Sequence, residues 1–319
     1  MKKIANFGLI GAAGYIAPRH MKAIRDCGGD LLAAIDPHDN VGVLDQYFPY
    51  AQFFRNFENF ESYFEKIIKQ GTSMDYVSIC SPNALHEAHI RFALRNNAHA
   101  ICEKPLALGR AELDELEKAE KEFDRRVFTI LQLRVHPLIM ELKNQILSNP
   151  TAQKHDVTLC YITSRGPWYQ QSWKGKQELS GGLVTNIGVH FFDMLSWIFG
   201  KKVSNELFCY DEKCASGLLT LEKANIKWFL SIDREHLPQF IKEKKQSTYR
   251  SIRLNNNEIE FSDGFTDLHT SLYKQIIEGK GFSIDDARSA IEIVEDLRHA
   301  PITSGAPSTE EILSKMVLQ

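Results

Sequence analysis

The sequence has no uninterrupted run of about 18 apolar residues, so no membrane-spanning helix is predicted. Its nearest approach to a signal peptide is Met1-Lys2-Lys3 followed by Ile4–Ile10. That run is broken by Gly8, Gly11 and Gly14 and leads to Arg19 and His20 rather than to a small-residue cleavage site, so a cytoplasmic protein is expected. No charge sign dominates: 38 Lys and Arg face 41 Asp and Glu, a formal charge of −3. Nucleic acid and anionic membrane are therefore excluded as main partners, because both select a clear basic excess. The six cysteines (Cys27, Cys80, Cys102, Cys160, Cys209, Cys214) contain no Cys-x-x-Cys pair, and no histidine cluster completes a zinc pattern. Reduced, packed thiols and no metal are the expectation. Repeats and low-complexity segments are also missing.

What remains is ordinary globular material, 43% hydrophobic and 25% charged over 319 residues. That length exceeds the roughly 100–200 residues of one domain, so two domains are expected, 1–134 and 135–319. The first alternates short apolar runs with helical spacing. Ile4–Ile10, Leu31–Ile35, Tyr76–Cys80, Ala98–Cys102 and Val127–Leu131 read as buried strands. Pro18–Asp26, Phe57–Gln70, Ala84–Asn96 and Ala111–Phe123 read as helices, the second with Phe60, Phe64, Ile67 and Ile68 on one face. Such alternation predicts an α/β fold with a doubly wound parallel sheet, whose ligands bind beyond the carboxyl ends of the strands.

Three motifs occupy such ends. Gly11-Ala12-Ala13-Gly14-Tyr15-Ile16-Ala17 follows the first strand and opens the first helix. Small residues there let a pyrophosphate approach backbone N–H groups at a helix N-terminus, although the pattern departs from strict G-x-G-x-x-G. Asp36, ending the second strand, is either a turn residue before Pro37 or the acceptor for an adenosine ribose; a carboxylate there repels a 2′-phosphate and favours NAD over NADP. Ser81-Pro82-Asn83, with His86, follows the third strand and suits the nicotinamide half of a dinucleotide, or is a plain turn with a surface histidine. Glu103-Lys104-Pro105 follows the fourth, where an ammonium can hydrogen-bond a reacting oxygen. Gln132 and Arg134, beyond the fifth strand, face the same crevice or form an interdomain salt bridge.

Taken in order, and joined by Gly181-Gly182 and Asn186-Ile187-Gly188-Val189-His190-Phe191-Phe192-Asp193, these motifs resemble the Gfo/Idh/MocA family of NAD(P)-dependent oxidoreductases. The resemblance covers nearly the whole chain. Gly8–Met21, Tyr76–Asn83, Ile101–Pro105, Leu131–Arg134, Tyr161–Gly166, Trp173–Gly175, Thr185–Met194 and Gly264–Thr270 are similar to one branch. Its members oxidise the C3 hydroxyl of UDP-N-acetyl-glucosaminuronate (UDP-GlcNAcA) to a 3-keto sugar in bacterial O-antigen and lipopolysaccharide assembly. The resemblance implies an N-terminal Rossmann domain with NAD on Gly11, Ala12, Ala13, Gly14, Tyr15, Ile16, Asp36, Ser81, Pro82, Asn83, His86, Glu103, Lys104, Pro105 and Gln132. It also implies recycling of NADH by 2-oxoglutarate, and a homotetramer. A C-terminal α+β domain with a mostly antiparallel, open-faced sheet would hold substrate and supply the oligomer interface.

In that second half, His155–Thr163, Ala215–Leu221, Ile226–Ile232, Tyr249–Leu254 and Glu258–Phe261 read as strands, with Asn255-Asn256-Asn257 as a hairpin turn. His190 and Asp193, three apart on a helix, share a face; His190 suits a general base acting with Lys104. Asn186 stands where many relatives carry an aspartate and avoids repelling an acidic substrate. Arg165 and Lys174 suit a diphosphate or carboxylate, and Trp168 and Trp173 a uracil or sugar ring, unless this is a solvated loop with packed aromatics. Arg134 joins this expected substrate set. Asp267, His269 and Tyr273 are left open among site, interface and core. Two other functions share the motifs: an inositol or free-sugar dehydrogenase of the same family, and a non-catalytic NAD-binding regulator.

Overall fold

The computed structural model describes residues 4–149, 151, 153–255, 257–259 and 267–317. They divide into two compact units, Met1–Val135 with Thr266–Arg288, and His136–Phe265 with Ser289–Gln319. A single boundary after residue 134 was expected. The chain instead returns to the first unit through the helix Leu268–Ile277, because Leu272, Tyr273 and Ile276 bury themselves against Phe7, Leu9 and Phe128. The spacing of apolar residues marks a buried helix face but not the core that receives it.

In the first unit, strands β1 (Asn6–Ile10), β2 (Asp30–Ile35), β3 (Gln52–Phe54), β4 (Tyr76–Ile79), β5 (His99–Cys102) and β6 (Val127–Thr129) form one parallel sheet. Its order is β3-β2-β1-β4-β5-β6. This is the doubly wound arrangement expected, and the order of a dinucleotide-binding sheet. The extra strand is β3, a short edge strand too exposed to read as an apolar run. Helices on both faces explain why the inner strands are apolar almost throughout. The helix Phe57–Lys69 is capped by Asn56, whose side chain accepts from the Asn59 N–H at 3.0 Å. It buries Phe60, Phe64 and Ile67, while Ile68, assigned to the same face, is exposed. Phe64 reaches β1 because Gly8 has no Cβ; one built there would lie 2.7 Å from the ring.

In the second unit, β7 (His155–Thr163), β8 (Lys202–Tyr210), β9 (Cys214–Leu221), β10 (Ala224–Ser231), β11 (Thr248–Leu254) and β12 (Asn257–Ile259) form a sheet ordered β12-β11-β7-β10-β9-β8. Every pairing is antiparallel except β7 with β10. The half-exposed β8 was missed in the sequence. Asn256 and residues 260–266, which hold part of the expected hairpin turn, part of the last expected strand and Gly264, lie outside the described residues. The helix Val189–Phe199 packs one sheet face, with Phe192 edge-on to Trp228 at 5.3 Å. The other face is not fully open. Ile312, Met316, Leu237 and Ile241 cover Cys160, Ile162, Phe229 and Tyr249, and beside them runs a groove of about 440 Å³.

Among the described residues one helical run, Gln177–Phe199, has the length and hydropathy of a membrane span, and 83% of its most apolar window is buried. Gly181, Gly182, Thr185 and Asn186 interrupt it in sequence, so it was not anticipated; burial makes it the core helix of the second unit.

Candidate active site

The loop after β1 is built by backbone geometry. Gly11 has φ +87°, and a Cβ on it would lie 2.6 Å from the carbonyl carbon of Cys80, so only glycine fits. The N–H groups of Gly11 and Ala12 donate to Ile35 O at 2.9 and 3.1 Å, and that of Gly14 to Gly11 O at 3.1 Å. Ala13 N–H donates to the Asp36 carboxylate at 3.0 Å. Four of the donors expected to cradle a phosphate are thus spent within the protein. Those of Tyr15 and Ile16, at the start of the helix Ala17–Asp26, make no hydrogen bond among the described residues. Their position at a positive helix end suits one anionic group. Asp36, largely buried, also accepts from His38 N–H at 2.9 Å. Each of its oxygens keeps a lone pair for a ribose hydroxyl. The loop therefore fits a dinucleotide.

Ser81-Pro82-Asn83 and Glu103-Lys104-Pro105 follow β4 and β5, neighbouring strands, and His86 ties them together. Its Nδ1 lies 2.7 Å from Pro105 O and its Nε2 3.0 Å from Ser81 O. The ring is buried, and burial pushes its pKa down against the pull of the two carbonyls. This histidine was expected at the surface or against the cofactor; the structure makes it an internal clasp. Ser81 Oγ meets His89 Nδ1 at 2.8 Å, and the His89 ring stacks on Phe57.

Glu103 was expected to line the cofactor crevice, but its carboxylate points inward. Oε1 lies 3.0 Å from both His20 Nε2 and His269 Nε2, while Oε2 accepts weakly from Lys104 N–H at 3.3 Å. Burial pushes the Glu103 pKa up, but the hydrogen bonds from the two histidines outweigh it and hold the carboxyl well below its ordinary range. An ionised carboxylate only accepts, so both Nε2 atoms carry hydrogens. His20 is neutral, its pKa lowered chiefly by burial. Its Nδ1 then accepts from Tyr273 O–H at 2.7 Å, and the Tyr273 oxygen accepts from Ser78 O–H at 2.6 Å. The chain Ser78–Tyr273–His20–Glu103–His269 is a satisfied buried network that holds the residue before Lys104. It answers the question left open for His269 and Tyr273: both are core. Asp267 is exposed and pairs with Lys22 at 2.7 Å.

Gln132 is half-buried on a short helical turn. Arg134 is buried and gives its guanidinium to the Asp286 carboxylate at 2.8 Å and the Asp286 carbonyl at 2.6 Å, over the Phe282 ring. Both partners belong to the first unit. The expected substrate contact gives way to a structural ion pair within the first unit, and not to the interdomain salt bridge that was the alternative.

In the second unit the loop after β7 leads through the short helix Trp168–Gln171 and the turn Trp173–Gly175. Arg165 and Trp168 are exposed, and Lys174 sits 4.3 Å from the centre of the Trp173 ring. Burial, then the charge of Arg165, lowers the Lys174 pKa. Asn186, on a π-helical turn, donates from Nδ2 to Tyr169 OH at 2.9 Å. His190 and Asp193 follow on one helix, His190 half-buried and Asp193 buried. A cavity of about 230 Å³ is lined by Tyr169, Lys174, Gly182 and Tyr210.

Sequence reasoning missed His20, Ser78 and His89. His20 and Ser78 carry no local signal, since their shared partner Tyr273 is 253 and 195 residues away, whereas His89 lies eight residues after Ser81 and was within reach of the motif.

The sheet order, the glycine loop and the acidic residue after β2 define a dinucleotide-binding protein. Residues 5–130 match the oxidoreductase family's NAD-binding Rossmann fold, and residues 143–229 its C-terminal α/β domain. The chain belongs to the Gfo/Idh/MocA oxidoreductase family. It is similar to the WlbA (WbpB) dehydrogenase from Thermus thermophilus, solved with NAD and alpha-ketoglutarate, at 46% identity and TM-score 0.92 over 96% of this chain and 98% of that one. The same dehydrogenase with NAD and UDP-GlcNAcA gives TM-score 0.91 at 46% identity, with the same coverage of 96% and 98%. The myo-inositol 2-dehydrogenase of Thermotoga maritima is 28% identical over 131 residues, 41% of this chain and 38% of that protein. The chain spans 36–54% of the length of five curated relatives it matches.

Proposed function

We propose that this protein oxidises the C3 hydroxyl of UDP-GlcNAcA to a ketone with NAD, the first unit holding the cofactor and the second the sugar nucleotide and the oligomer contacts. The observation that carries the reading is the 46% identity, across 96% of the chain, to a dehydrogenase solved with NAD and UDP-GlcNAcA. Bound NAD supplies the hydride acceptor for the sugar carbon. Every other part belongs to the chain. Tyr15 and Ile16 N–H groups receive a phosphate oxygen, and Asp36 accepts the ribose hydroxyls and disfavours a 2′-phosphate. Lys104 stabilises negative charge on the substrate oxygen while His190 takes its proton. Arg165 and Lys174 bind the diphosphate or the uronate, and Asn186, oriented by Tyr169, adds a neutral amide where a carboxylate would repel the acid. Alpha-ketoglutarate, present with a relative, is the proposed oxidant that regenerates NAD. A cytoplasmic homotetramer completes the reading.

Incubating the purified protein with UDP-GlcNAcA, with and without 2-oxoglutarate, and weighing both products by mass spectrometry tests this directly. The expected pair is a sugar lighter by two hydrogens and 2-hydroxyglutarate, formed together. Turnover of free inositols or glucose with UDP-GlcNAcA left intact would overturn the substrate; no reduction of NAD by any sugar would favour a regulator.

A further inference from the structure

The tip of the β8–β9 hairpin gathers three metal-ligating side chains that the proposed reaction does not use. Tyr210 pairs with Ala215, and Asp211 N–H donates to Cys214 O at 2.9 Å. Side chains alternate along strands, so Cys209, Asp211 and Cys214 stand on one face of the hairpin. Their donor atoms converge. The two Sγ atoms are 3.4 Å apart, and Asp211 Oδ2 lies 3.5 Å from Cys214 Sγ and 3.9 Å from Cys209 Sγ. The carboxylate is locked in that attitude, because its Oδ1 accepts from the N–H groups of Lys213 and Cys214 at 2.7 and 2.8 Å.

These separations discriminate between two uses of a thiol pair. A tetrahedral ion with bonds of about 2.3 Å to sulfur and about 2.1 Å to oxygen holds two sulfurs about 3.8 Å apart and sulfur and oxygen about 3.6 Å apart. The three observed distances lie within about 0.4 Å of that geometry. A disulfide needs sulfurs at about 2.05 Å and Cβ atoms about 3.5–4.5 Å apart, whereas diagonal neighbours on an antiparallel ladder sit wider. Cys209 pairs with Ser216, which makes Cys214 its diagonal neighbour.

We propose that Cys209, Asp211 and Cys214 form a binding site for a thiophilic divalent cation of the zinc class, with solvent at the fourth position. Binding replaces the two S–H hydrogens by the cation and releases two protons, so occupancy falls in acid. The site bears on the rest of the unit through the hairpin tip. Tyr210, Asp211 and Glu212 line the 230 Å³ cavity with Lys174, and Gln170 donates to Glu212 O at 3.2 Å. An ion fastening β8 to β9 stiffens that wall whatever sugar the enzyme takes.

The test uses the full-length, reduced protein stripped of metal under anaerobic conditions and titrated with Zn²⁺, then with Cd²⁺ or Co²⁺ for the thiolate charge-transfer band. About one ion per chain and a band from two thiolates are expected. Cys209→Ser reduces the band per bound ion to that of a single thiolate, and both it and Asp211→Asn weaken binding by more than the roughly 10–100-fold lost when a group that only supports a ligand is removed. Cys27→Ser, elsewhere in the chain, leaves both intact. No band in the unmutated protein, or binding indifferent to Cys209→Ser and Asp211→Asn, would each overturn the site; circular dichroism of the variants separates lost binding from lost folding.

Discussion

The carboxylate of Asp36 accepts the backbone N–H of Ala13 at 3.0 Å, so the residue after β2 and the loop after β1 are a single mechanical piece. Its second oxygen holds His38 N–H at 2.9 Å, which leaves the carboxylate no freedom to swing. A ribose recognised here meets a preset acceptor, and the glycine loop owes part of its shape to the residue that recognises the sugar.

Replacing Asp36 by alanine therefore has two effects that add. The loop loses a charged hydrogen bond and the ribose loses its acceptor; at about 1.5–3 kcal/mol for one such bond, NAD affinity falls by at least about tenfold. Discrimination against NADP falls as well. Calorimetric titration with both dinucleotides measures it, and unchanged NAD affinity would refute the role given to Asp36.

Tyr273→Phe keeps the ring in the core and removes only the hydroxyl between Ser78 and His20. Two buried partners lose their hydrogen bond, and stability falls by about 1–3 kcal/mol. Urea denaturation reads this. Equal midpoints for the two proteins would show that the Ser78–Tyr273–His20 relay contributes nothing to the fold.

Stability should also decline in mild acid, and His89 states the window. Burial, then the charge of His86, lowers its pKa from 6.5 to about 4 in the folded protein. Below 6.5 the unfolded chain takes up a proton that the folded one refuses, so stability fully present above 6.5 is lost progressively as the pH falls toward 4. His20 and His86, lowered for the same reason, act in the same direction. Thermal midpoints between pH 7.5 and 4.5 should fall, and less steeply in His89→Gln; parallel curves for the two proteins would remove His89 as a cause.

Lys104→Ala and His190→Asn test the proposed proton transfer. Each should lower kcat by about 100-fold or more, the usual contribution of a positioned acid or base, with NAD binding retained. Single-turnover reduction of NAD together with NAD titration separates the two quantities. Near-normal turnover in both variants would end this assignment.

The first unit's sheet was readable because parallel strands covered on both faces are nearly continuous apolar runs, and their spacing announces the helices between them. Gly11, Asp36 and Glu103-Lys104-Pro105 were readable for a related reason: strand ends are where such a sheet places its ligands. Edge strands β3 and β8 were not, being half-exposed and without a clean period. Glu103 shows the limit most clearly. A motif locates a residue at a strand end but does not say which way its side chain turns, and this one turns inward to two histidines that lie 83 residues before and 166 residues after it.

Local chemistry in the chain was enough to determine the α/β class and the nucleotide loop, because strand periodicity, glycine spacing and helix starts act over a few residues; the family came from the resemblance of the ordered motifs. Tertiary structure alone decided that Leu268–Ile277 belongs to the first unit, that Arg134 and Glu103 serve the core, and that three donors converge at the β8–β9 tip. Those outcomes depend on which distant groups become neighbours, and a buried charge or hydroxyl takes whatever partner the packed interior offers, since leaving it unpaired costs more than any local preference can return.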